Sequence, residues 1–246
     1  MLAVVAKAIT YGATFAAAGG VIFGALFFSE VAGRERDGLA RFVAACALAG
    51  MLVSVLRIGI VSGTMTGEIA GMIDPTMTRV VLESSEGTAT ALRLAGLALI
   101  GLIALPAGKA SRRSRSRWGA AIASIGALLA ATSFAWTGHA GEVEGMAGSA
   151  KLPQALLCVH LAAIAFWLGA LWPLHRLTYN NDLEKIAAVM RRFGDIAAVA
   201  VGLLLAAGMV LLWLILNFME VYGSRPTGSS FSSNYFWSRC CWRWRR

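Results

Sequence analysis

Six uninterrupted apolar stretches of about twenty residues each limit what this chain can fold into more than any other feature. They fall at roughly 8–28, 42–61, 89–107, 118–137, 155–174 and 196–218. A helix rises about 1.5 Å per residue, so ~20 residues cover a hydrocarbon core of about 30 Å. None of the stretches shows the in/out alternation of a membrane barrel strand, and a helix satisfies its own backbone in lipid. The expected fold is therefore all-α: a polytopic membrane bundle of six transmembrane helices. With 58% hydrophobic and only 14% charged residues, the chain cannot be a soluble enzyme or a disordered tail protein. Its four cysteines are too few to define a disulfide framework. Cys46 and Cys158 lie singly in spans and read as small core residues. Lys7 precedes the first stretch as in a signal peptide. That stretch is longer than the roughly 7–15 residues of a signal core and lacks a clear small-x-small cleavage site, so it is expected to be retained.

Loop charge orients the bundle. Arg34, Arg36 and Arg41, then Lys109, Arg112, Arg113, Arg115 and Arg117, then Arg176, Lys185, Arg191 and Arg192 fill alternate loops. The N-terminus and the loops at 62–88 and 139–153 hold only Lys7, Arg79 and Lys151. The positive-inside bias places the first set in the cytoplasm and the N-terminus outside. The formal charge of +9 is thus a membrane-topology signal, with no nucleic-acid partner implied. The partner in view is the lipid bilayer. No ATP-binding motif is present, and no enzymatic activity is expected.

Polar groups inside spans are costly and are functional candidates by default. Arg57 lies about one turn from the outer end of the second span, and Arg93 about one turn from the outer start of the third. Each could snorkel to the outer headgroups, but together they mark the outer half as polar. His160 lies in the outer part of the fifth span and His139 just beyond the fourth, so two imidazoles at matching depth are candidates for a metal or proton role. Met65, Met72 and Met77 occupy one exterior loop and Met146 the other. Thioether and imidazole together form a soft donor set suited to Cu(I). Glu68, Asp74, Glu142 and Glu144 would attract a cation to the mouth. Trp167, seven residues after His160, shares its helix face and could supply an aromatic wall. Gly59, Gly63, Gly67 and Gly71 recur every four residues and would make a close-packing ridge if the second helix continued outward.

The segment from His160 to Leu174 fits the pattern H-L-x-A-x-x-x-W-x-G-x-L-x-P-L, with Leu161, Ala163, Trp167, Gly169, Leu171 and Pro173 in place. Thr137, Gly138, His139 and Ala140 precede it, and Arg191, Arg192, Phe193 and Gly208 follow. These features closely resemble the copper resistance protein D (CopD) family of bacterial inner-membrane proteins. The resemblance covers about residues 130–210, while the first four spans match in general layout. It implies a multi-pass copper-handling protein of the inner membrane, with Cu(I) or Cu(II) as bound or transported ion. It also implies a periplasmic copper carrier of the CopC type as a partner, and His139 and His160 as ligands by position. Paired histidines on neighbouring helices also allow another reading, a b-type cytochrome-like electron-transfer subunit with haem between them.

After Phe218 the resemblance stops. The family would continue with a Y-G-x-L-x-x-K-L pattern and further spans, whereas this chain ends in Cys240, Cys241, Trp242, Arg243, Trp244, Arg245 and Arg246. Five of its arginines lie in this tail. With permitted codons another reading frame of the tail encodes the expected apolar helix, so a frameshift near 217–224 is expected to have replaced the last helices. On this reading residues 1–219 form the transmembrane domain and 220–246 an aberrant basic tail. The nucleotide sequence tests it, since a single-base insertion or deletion must restore the apolar frame.

Overall fold

A computed structural model describes residues 1–27, 34–104, 117–137, 151–179 and 183–223. Among these the chain is helical throughout, with no strand: α1 (Leu2–Leu26), α2 (Arg34–Thr66), α3 (Pro75–Glu83), α4 (Ser85–Ala104), α5 (Arg117–Thr132), α6 (Lys151–Leu177) and α7 (Leu183–Gly223). Short 3-10 turns at Ile69–Ile73 and Ser133–Trp136 complete them. Six of the helices, all but α3, are long and apolar enough to cross a membrane. The chain divides into two compact units, Met1–Leu211 and Leu212–Arg246; of the second, 212–223 are described and are helical.

The first unit is built around α1, which packs against α2, α4, α5 and α6. Its inner face is small: Ala17, Ala18, Gly19 and Gly20 are buried, with Phe15 and Phe23 on either side. Small residues let helix backbones touch, and in lipid that close packing replaces the hydrophobic drive of a water-soluble core. At the α1–α6 crossing, a Cβ on Gly19 would run into the carbonyl of Ala165, and one on Gly169 into the backbone of Gly19 and Gly20. The α4–α5 crossing repeats the device. A Cβ on Gly96 would lie 2.6 Å from the Ala130 nitrogen and the Gly126 oxygen. At the opposite end of the bundle, Phe42 stacks on Trp172 with ring centroids 4.5 Å apart.

Two expectations change. The second helix runs past its apolar stretch to Thr66 and stops at Gly67, whose φ of +77° is a left-handed conformation suited to glycine. The glycine ridge therefore does not continue through Gly71. Instead the chain folds back, and the 3-10 turn at Ile69–Ile73 lies on the end of α2. A Cβ on Gly59 would come 3.0 Å from the Met72 carbonyl oxygen, and one on Gly63 2.6 Å from the Met72 side chain. The small residues admit this fold-back, where a neighbouring membrane helix was expected. The segment 62–88 is likewise mostly helical. Asp74 caps α3, its Oδ1 accepting from the Thr76 and Met77 amides at 2.8 and 3.4 Å, and Pro75 opens the first turn.

Candidate functional site

Chain direction brings the start of α1, the end of α2, the start of α4, the end of α5 and the start of α6 to one end of the bundle. Loop charge assigns that end to the exterior. A cavity of about 340 Å³ opens there, walled by Lys7 and Tyr11 of α1, Arg57 of α2 and Glu86 of α4. Phe134, Thr137, Leu157 and Leu161 close its other side.

The two intramembrane arginines meet different fates, and neither is a simple headgroup snorkel. Arg57 lies nine residues inside the end of α2, with its Nη2 2.8 Å from Glu86 Oε1. Both side chains are largely withdrawn from solvent, at 12% and 23% exposure. Arg93, eight residues into α4, is fully buried. A snorkelling side chain needs a path to the headgroups, and neighbouring side chains close that path here. Its Nε donates to Ser133 Oγ at 3.3 Å, and its guanidinium carbon sits 4.1 Å from the centroid of the Phe134 ring. Tyr11 stacks on the same ring at 3.9 Å. Two groups this close to one centroid must take opposite faces, so Phe134 is sandwiched between phenol and guanidinium. The Nη1 and Nη2 nitrogens of Arg93 have no hydrogen-bond partner among the described residues.

The tightening of α5 into a 3-10 turn at Ser133–Trp136 contributes to this arrangement. A 3-10 turn advances about 120° per residue against about 100° in an α-helix. That rotates Ser133 and Phe134 relative to a continued α-helix. Ser133 donates in turn to the Ala130 carbonyl at 2.7 Å, which leaves its oxygen free to accept from Arg93.

His160 lies nine residues into α6 and is half-buried, next to the cavity-lining Leu161. Its Nδ1 is buried without a hydrogen-bond partner among the described residues. Trp167 lies on the same face but two turns further in, roughly 10 Å along the axis. It is 52% exposed and lines an apolar groove with Ala163, Ile164 and α7 residues. The expected aromatic wall at the imidazole is not formed, because Trp167 makes no ring contact with His160 among the described residues.

The three described candidate methionines differ in environment. Met65 is 59% exposed at the end of α2, Met72 is turned back onto Gly59 and Gly63, and Met77 lies half-buried in α3. His139, Met146, Glu142 and Glu144 lie outside the described residues. Among the described residues no group of three or more His, Cys, Asp or Glu could hold a metal ion.

Sequence reasoning missed Glu86, Tyr11, Ser133 and Phe134. Glu86 could have been found. It precedes Arg93 by seven residues and so shares its helix face, and two arginines at one depth call for a carboxylate beside them. Phe134 gave no signal, since an aromatic residue near a span end is ordinary in any membrane protein.

Neither a curated protein nor a solved structure matches the chain. A family description, "Copper resistance protein D-like, N-terminal domain", matches residues 1–149, the first four spans, and so complements the motif in the fifth. The match extends over more than half of the 246 residues, and it shows that this chain belongs to the copper resistance protein D-like family of membrane proteins.

Proposed function

We propose that this protein takes copper at the exterior face of a bacterial inner membrane and moves or relays it across, with His160 and His139 as the receiving ligands. Copper is the cargo here, delivered by a periplasmic carrier of the CopC type. The observation that carries the reading is the His160 imidazole. A buried ring nitrogen without a partner is uncommon, and a neutral imidazole lone pair is a good ligand for a soft metal ion. The exposed Met65 thioether adds a soft donor at the same end of the bundle.

Titration of the purified chain with Cu(I), and separately with Cu(II), tests it. The His139→Ala/His160→Ala double variant should bind Cu(I) about tenfold or more weakly, a loss of about 1.4 kcal/mol or more. Unchanged affinity would remove both histidines from the site. A Soret band in the purified protein, sensitive to the same pair, would replace copper by haem.

A further inference from the structure

The cavity between α1, α2, α4 and α6 has a charge balance that a copper cation does not explain. Glu86 is its acidic wall residue, and that carboxylate is held 2.8 Å from Arg57. Among the described residues Lys7 has no ion-pair partner, and Arg93, fully buried behind Phe134, has no hydrogen-bond partner at Nη1 or Nη2. Arg93 also lies within electrostatic range of Glu86, Arg57 and Tyr11. Among the described residues, Lys7 and Arg57 in the cavity wall and Arg93 behind it thus share one carboxylate, Glu86. A trapped water could accept hydrogen bonds from Arg93 but would add no charge, leaving it only the Glu86 carboxylate that Arg57 already holds, and a buried cation short of counter-charge is disfavoured. The same excess repels Cu(I) or Cu(II) from this space.

We propose that the cavity is a binding site for a phosphate-type oxyanion, separate from the copper ligands. The wall chemistry fits. The Lys7 ammonium, the Tyr11 hydroxyl and the Arg57 guanidinium are donors on one side, and cationic nitrogens form short, strong hydrogen bonds to phosphate oxygens. Leu157 and Leu161 present an apolar wall on the other side. Such a two-sided space accommodates phosphate carried on an acyl-chain lipid as well as free phosphate. The site lies at the end of the bundle where loop charge places the outer headgroups. Bound oxyanion would add counter-charge for Lys7, Arg57 and, from beyond the Tyr11–Phe134 stack, Arg93, and its binding would therefore stabilise the fold.

The experiment uses the full purified chain, reconstituted in phosphatidylcholine with or without phosphatidylglycerol, and reads retained lipid by native mass spectrometry. In parallel, the thermal midpoint in neutral detergent is followed against inorganic phosphate. Lys7→Glu, at an exposed position near the helix start, is the main variant. Tyr11→Phe replaces it if that protein does not fold, and Lys7→Arg is the rescue. Enrichment of phosphatidylglycerol that falls about tenfold in Lys7→Glu and returns in Lys7→Arg supports a lipid phosphate. A phosphate-dependent rise in the midpoint that follows the same variants, without lipid enrichment, supports a free oxyanion. If neither readout responds to the variants, the site does not exist, whatever the outcome for copper.

Discussion

Helices α4 and α7 are both apolar enough to cross a bilayer, yet they use that apolarity in opposite ways. The spanning part of α4 has a mean hydropathy of 1.7 and is 44% buried inside the protein; that of α7 reaches 2.5 and is 6% buried. In water the more hydrophobic helix would sit deeper. Here it faces outward, because lipid is as good a neighbour for Leu203, Leu205 and Val199 as protein would be. The less hydrophobic α4 is drawn inward by what lipid cannot satisfy, Arg93 and the pair of Glu86 with Arg57, and by the glycine that lets α5 close on it. In this molecule polarity and smallness mark the interior, and hydropathy marks the surface.

Substitutions can break that contrast, beginning with the tightest contact. Gly169→Leu forces α1 and α6 apart where their backbones meet, and it should cost about 3 kcal/mol, read as a fall in thermal midpoint in detergent. Glu86→Gln leaves Arg57 without its carboxylate. For a partly desolvated pair the expected loss is about 2 kcal/mol, between the values for exposed and buried pairs. A double-mutant cycle with Arg57→Gln should recover part of it. Phe134→Leu removes both the Tyr11 stack and the guanidinium contact, and should cost about 1–1.5 kcal/mol in the same assay. The smallest effect belongs to α7. A Cβ on Gly202 meets nothing within 4 Å, so Gly202→Leu should stay within about 0.5 kcal/mol of the parent. Equal losses for Gly169→Leu and Gly202→Leu would erase the distinction between the two kinds of helix.

The six spans were legible because lipid imposes one simple requirement, length of apolar chain. Their ends were not, because helices run on where polar residues tolerate it: α2 already begins at Arg34, with Glu35 and Asp37 in its first turn, and α4 begins at Ser85, four residues before the apolar stretch. The break at Gly67 depends on a single left-handed residue, which spacing alone cannot distinguish from one more step of a glycine ridge. Arg57 and Arg93 could be singled out from sequence as misplaced in lipid, but not what surrounds them. Ser133 lies forty residues from Arg93 along the chain. His160 stood out as an imidazole in an apolar helix, whereas its unpartnered nitrogen is a property of packing that no local pattern encodes.

The crossing of α1 and α6 at Gly19 and Gly169 has a mechanical consequence. With no side chains between the two backbones, the contact acts as a fulcrum. Lys7 lies twelve residues up one arm and Leu157 twelve residues up the other, each roughly 18 Å from the pivot. A scissoring of about 5° would change the gap between them by about 1.6 Å, close to half the diameter of a water molecule, at 1.5 Å of rise per residue. Two glycines buried deep in the bundle therefore set the leverage on a cavity that neither of them touches.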